Sequence, residues 1–350
     1  MRVKLFLNIN VFVAVFLLSS TLSAQTNTAY EESTFQFSLV PSLSTNGLHS
    51  SRYSNDVSFN ILVGVSKNEN VFTLSGLASI IRNNASGLQF AGLLNSVGNE
   101  GSRMTFAGLA NLNFHNHKGM QFAGLYNQGK ELNGVQFAGL CNNVKGDIKG
   151  IQIAGLVNKA RNVSGVQVAG LVNIAENSDY PIGLINIIKN GEYGIAITHN
   201  EIGSTNITFR SGGKVMYGIL GFGYNHKVED NAFFSDNGLL AFINLSSFVT
   251  TSGIGAHINL LPWLRINNEL SGNLIFDDSE DVTFMAGYSL MPAFRIGHIE
   301  IFGGPSINYL QTDNLKNNGM FPKKTIWEKF DTSRMQQIHF GYQFGVQYIF

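Results

Sequence analysis

The sequence predicts an all-β protein: an antiparallel meander closed into a transmembrane β-barrel. Three observations carry that reading. Apolar and polar residues alternate with a period of two over most of the chain, while helical spacing is almost absent. The last twelve residues, HFGYQFGVQYIF, place Phe340, Tyr342, Phe344, Val346, Tyr348 and Phe350 on one face. Charge is scarce: 23 Lys and Arg against 23 Asp and Glu make 13% of 350 residues, where a soluble domain carries roughly 25%.

Along the chain, residues 1–24 read as a secretory signal peptide. Arg2 and Lys4 precede the apolar run Val11 to Leu18, and Leu22-Ser23-Ala24 offers a cleavage site. The fold is therefore expected from 25–350, as a barrel domain. Residues 57–65 are its first clear strand, with Val57, Phe59, Ile61, Val63 and Val65 on one side.

A repeat region occupies 71–188. The phrase Gly-x-Gln-x-Ala-Gly-Leu-x-Asn recurs as GLQFAGLLN, GMQFAGLYN, GVQFAGLCN, GIQIAGLVN and GVQVAGLVN. Its anchor glycines are Gly76, Gly92, Gly108, Gly124, Gly139, Gly155, Gly170 and Gly183, spaced 16, 16, 16, 15, 16, 15 and 13 apart. A fixed period of this size must be explained before any other fold assignment. Two architectures fit. Read as barrel staves, each nine-residue copy tilted by ~40° spans about 23 Å, near the ~25 Å apolar band of membrane barrels. Read as rungs, the copies build a β-solenoid of 15–16-residue repeats followed by a C-terminal barrel, with Gln and Asn stacked into ladders. The staves are preferred, because variable linkers are expected to disturb stacking.

On that reading Leu88, Phe90, Gly92 and Leu94 face lipid. Gln136, Asn142, Gln152 and Asn158 line the lumen together with Arg265 and Glu269 from the strand at 265–276. Another strand covers 282–290. Turns are expected at 261–263 and at the acidic run 277–281, and an exposed loop from Gln311 to Arg334. Sixteen to eighteen strands in all are expected to leave an aqueous lumen.

The repeats, with GLINIIKNGEYGI and GGKVMYGILGFGY after them, resemble the bacterial surface-repeat family of outer-membrane-associated proteins over about residues 34–225. Ser79 in place of Asn, and a missing Gln in PIGLIN at 181–186, depart from the pattern. The final strand resembles that of outer-membrane β-barrels, whose aromatic last residue is read by the insertion machinery. That resemblance makes Phe350, Tyr348 and Phe344 the insertion signal. It implies an outer-membrane location, with membrane lipid and the barrel-insertion machinery as partners.

Reactive chemistry is not legible. No phosphate loop, nucleophile elbow, dinucleotide fingerprint or paired-cysteine metal spacing occurs, and Cys141 is the only cysteine. Balanced charge excludes a nucleic-acid surface. His115 and His117 could present two imidazoles together, but without further ligands they read as a solvated linker. The run 277–281 lacks the spacing of a calcium loop. No cofactor, metal or catalytic residue is expected. The function expected is an outer-membrane barrel acting as a porin-like channel for small polar solutes. The alternative is a non-catalytic cell-surface structural or binding protein.

Overall fold

A computed structural model describes residues 31–227, 247–276, 282–313, 321–331 and 334–350. The signal-peptide segment 1–24 and the acidic run 277–281 lie outside them, as does part of the loop from Gln311 to Arg334. The described chain is almost wholly strand, and it divides in two. The closed antiparallel barrel is present, but the repeats are not part of it. They form the solenoid of the alternative reading.

Each copy of the repeat breaks at its Ala-Gly-Leu. In one rung, Glu131–Ala138 is a long strand, Gly139-Leu140 turns the corner, and Cys141–Val144 is a short strand running back. Long strands of successive rungs pair in parallel in one sheet, and short strands pair in parallel in a second. Staves would alternate in direction. The shorter last copy shifts register within its long strand pair, between Val163 and Val166, whereas the alternation between 15 and 16 residues falls in the second corner, as at Lys145-Gly146-Asp147, outside both sheets. A residue added there leaves the register of every strand pair intact.

Register explains the motif letter by letter. Gln121, Gln136, Gln152 and Gln167 are consecutive partners, as are Asn127, Asn142, Asn158 and Asn173. All eight are buried between the sheets. Leu132, Val144, Ile148, Val163 and Ile188 fill the remaining interior near the second corner. The phenylalanines point outward. At the first corner the rungs approach so closely that a Cβ on Gly139 would lie 2.0 Å from the carbonyl oxygen of Gly124. Only glycine fits there.

Eight antiparallel strands follow, numbered β1 to β8 in chain order: β1 (Glu192–Asn200), β2 (Ser204–Gly212), β3 (Met216–Asn225), β4 (Phe248–Leu261), β5 (Leu264–Phe276), β6 (Val282–Ile296), β7 (Ile299–Thr312) and β8 (Met335–Ile349). Neighbours pair in order, and β1 pairs with β8 to close the ring. The expected sixteen to eighteen staves are thus eight, because the repeat region contributes none. A short strand, Trp327–Phe330, covers the part of β8 that extends beyond β1. Stepping from Gln347 through the partners Ala196, Thr208, Gly221, Thr251, Asn273, Met285 and Leu310 returns to β8 at Gln337, a stagger of ten residues. That stagger corresponds to strands tilted roughly 40°.

The two parts are joined through one end of the barrel. Asn186, the last of the stacked asparagines, donates from Nδ2 to the Ser211 carbonyl at 3.1 Å, and its backbone N–H donates to Ser211 Oγ at 3.0 Å. The β2–β3 turn lies beside the final rung, where a Cβ on Gly213 would meet the Ser178 carbonyl and Pro181. The β2–β3, β4–β5 and β6–β7 turns at this end are short. The strand ends that flank 226–247 and 313–334, at Asn225, Phe248, Thr312 and Met335, are at the other.

Candidate functional site

The lumen of the barrel gathers its charge. The eight strands carry six ionisable acids and arginines, Glu192, Arg210, Arg265, Glu269, Arg295 and Glu300, and all six point inward. Strand alternation puts them there: Arg210 follows outward Phe209, and Arg265 and Glu269 sit opposite Ile266 and Leu270 in the pleat.

Arg210 pairs with Glu269 at 2.9 Å and donates to Gln347 Oε1 at 3.1 Å, with the Phe302 ring 4.3 Å from its guanidinium carbon. Tyr217 donates to the same carboxylate oxygen of Glu269, Oε1, at 2.8 Å, and its ring stacks on His257 at 4.3 Å. Arg265 bridges Glu192 at 2.7 Å and Glu300 at 2.5 Å. Arg295 adds a second cation to Glu192 at 2.8 Å, and Asn267 donates to Glu300 at 2.9 Å. Three arginines therefore meet three glutamates. Buried charges of one sign would be costly, and this balance offsets them.

Away from the solenoid the lumen changes character. Asn206, Thr208, Thr251, Ser271 and Asn273 form a polar layer around a cavity of about 10 Å³, room for roughly one water. Next comes an apolar plug: Ile202, Val249, Ile275, Met285, Leu310 and Met335, with Phe321 packed on it. Ile202 reaches in from the β1–β2 turn. Its neighbour Glu201 accepts from Asn308 Nδ2 at 2.6 Å and lies 2.9 Å from His339 Nε2. Among the described residues, the arginine–glutamate network, the polar layer and the apolar plug occupy successive levels of the bore.

Arg265 and Glu269 are thus inside the barrel as the sequence suggested, though each pairs with other partners and not with the other. Gln136, Asn142, Gln152 and Asn158 line no lumen; they are sealed between the solenoid sheets. There Gln136 donates to Gln121 at 2.7 Å and Gln152 to Gln136 at 3.0 Å. Asn142 donates to Asn158 Oδ1 at 3.0 Å and to the Ile153 carbonyl at 2.8 Å. The correction has a simple cause: in parallel register identical amides face one another, so each supplies the partner the next one needs. His115 and His117 do not converge. His115 contacts the Gly98 carbonyl at 3.0 Å, whereas His117 is buried in line with Leu132 and Ile148. Among the described residues, no group of three or more His, Cys, Asp or Glu could hold a metal ion. Arg210, Tyr217, Glu192 and Glu300 were not singled out from the sequence, although each occupies an inward place in a strand's alternation.

The outer wall is the mirror of the lumen. Ile195, Ile197, Phe222, Leu270, Phe294 and Ile301 are exposed on it, and no Asp, Glu, Lys or Arg of the eight strands joins them. Phe344, Tyr348 and Phe350 lie on this wall, more than half exposed at 51%, 54% and 60%. Trp263 and Phe294 stack at the solenoid end, where His298 stacks on Tyr348.

No protein-family description and no curated protein matches the chain. Among solved structures it is similar to a chain described as "De novo design of transmembrane beta-barrels", with 10% identity, a TM-score of 0.24, and coverage of 45% of this chain and 93% of that one.

Proposed function

We propose that this is a bacterial outer-membrane protein in which the eight-stranded barrel is a sealed membrane anchor and the solenoid is a non-catalytic scaffold held at one mouth. One observation carries the reading: every charged side chain of the barrel strands points inward, and the outside is predominantly apolar, with uncharged exceptions such as Thr250, Ser252 and Asn268. That arrangement costs solubility in water and suits hydrocarbon. Trp263 and Tyr348 at one rim fit the interfacial aromatic belt. Export by the signal sequence and recognition of Phe344, Tyr348 and Phe350 by the barrel-insertion machinery belong to the same proposal.

The porin-like expectation gives way here. It rested on a wide ring, and eight strands enclose a bore that side chains can fill. Solutes would have to displace both the arginine–glutamate network and the apolar plug. In outer-membrane barrels short turns face the periplasm and long loops the exterior. By that rule the solenoid is periplasmic, and the barrel mouth at Asn225, Phe248, Thr312 and Met335 faces outward. The test is reconstitution. Refolded protein is expected to migrate differently on gels with and without boiling, and to leave planar bilayers silent. Discrete conductance steps would overturn the sealed anchor, and absence of a heat-sensitive form would overturn the membrane barrel.

A further inference from the structure

The solenoid has an oily edge that no described residue covers. Along its first corner, Phe90, Phe106, Phe122 and Phe137 stack outward with ring centroids 4.8–5.1 Å apart. Beside them Leu93, Leu125, Leu140, Leu156 and Leu171 form a second exposed column on the turns. Between the phenylalanines and the glycine turns runs an open apolar furrow of about 400 Å³. A patch of this continuity is unusual on a soluble monomer. Charge is kept away from it: no Asp, Glu, Lys or Arg between residues 85 and 188 lies in the first corner, and most sit at or beside the opposite one, as Lys130-Glu131 and Lys145-Gly146-Asp147 do, with Arg103 and Asp179 partway along their long strands.

We propose that this corner is embedded among the phospholipid acyl chains of the same leaflet that receives the solenoid end of the barrel, so the solenoid lies along the membrane. The inference rests on the membrane reading above and adds a second lipid contact to it. Two observations select lipid as the occupant. First, the corner is continuous with the barrel's outer wall. Its last residues, Gly183 and Leu184, pack against Gly218 on the outward face of β3, where a Cβ would fall 2.1 Å and 2.4 Å from their carbonyl oxygens. The next outward residues on β3 are exposed Leu220 and Phe222. Second, the corner backbone is satisfied rung to rung: Gly139 N–H donates to the Ala123 carbonyl at 3.2 Å, Leu140 N–H to Leu125 at 3.1 Å and Leu156 N–H to Leu140 at 3.0 Å. Such a turn enters hydrocarbon without exposing unpaired amides, which ordinary loops cannot do.

Quenching by lipids brominated on their acyl chains tests this in full-length protein refolded into phosphatidylcholine vesicles. The two native tryptophans, Trp263 and Trp327, are exchanged for Phe, and single reporters are introduced: Phe122→Trp or Leu156→Trp on the corner, Asp147→Trp on the opposite one. A protein retaining Trp263 alone reports the barrel wall. We expect the corner tryptophans and Trp263 to lose most of their emission, and the Asp147→Trp reporter to keep its own. Quenching of Trp263 with neither corner reporter quenched overturns the inference and leaves the barrel reading standing. If that result comes with concentration-dependent cross-linking between copies through Leu125→Cys in a Cys141→Ser background, the corner is a self-association face instead. An unquenched Trp263 overturns both.

Discussion

Single residues carry more of this fold than their chemistry suggests. His117 occupies an apolar column of the solenoid, and burial lowers its pKa from 6.5 to about 4. The sign follows: as pH falls from 6.5 towards 4, the unfolded chain takes up a proton that the fold refuses, so stability is lost across that window. The total is about 3 kcal/mol. Glu69, raised by burial in the same solenoid, acts in the opposite sense, its contribution being lost as pH rises. Comparing His117→Leu with the parent isolates the histidine: in urea titrations at pH 5 the variant should be the more stable, and the difference should shrink by pH 7.5. Arg103 is a second example. It has φ 66° where the aligned residues of later rungs, Gly119, Gly134, Gly150 and Gly165, are glycine. Arg103→Gly should therefore stabilise by about 1 kcal/mol, read as a rise in urea midpoint. Asn142→Ala removes the acceptor of one ladder bond and the donor of the next, and should cost about 2–3 kcal/mol in the same assay.

At the scale of the element, period-two alternation separates the two faces of each strand without saying which face becomes the core. In the repeat, Phe137 and Gln136 do lie on opposite faces. Solubility rules place the Phe inside a soluble fold and the Gln inside an aqueous barrel, and neither holds here. The amides go inside because parallel register lets each satisfy its neighbour, a pairing that no single copy displays. The corner glycines are legible only once the stack is known: Gly139→Ala drives a methyl into the Gly124 carbonyl and should cost about 3 kcal/mol or more, enough to abolish protease resistance of the rungs. In the barrel, Arg265 and Glu269 could be found by alternation on one strand. Their partners could not, since Glu192, Arg210 and Glu300 come from distant strands brought together by closure. Glu269→Ala leaves Arg210 buried without its carboxylate and should cost about 3–5 kcal/mol, seen as a lower temperature for losing the folded gel form. Replacing both, as Arg210→Met with Glu269→Leu, should recover much of that loss.

At the scale of the molecule, two β architectures share one chain, and each pairs its strands in its own way. The barrel does so by closing β1 on β8. The solenoid does so by stacking, and its last rung hands Asn186 to Ser211 of β2. The barrel was legible from the amphipathic strands after residue 192; its size was not, because the repeats mimic staves in length and sidedness. What separates the two arrangements is direction. The most direct measurement is therefore a distance between spin labels at Asn133→Cys and Lys149→Cys in a Cys141→Ser background. These positions are register partners on adjacent rungs, and neighbouring parallel strands lie about 4.8 Å apart. Strong dipolar broadening between the labels is the predicted result. Antiparallel staves would place the two sites at opposite edges of a ~25 Å band, and a pair of unbroadened spectra at that separation would contradict the account.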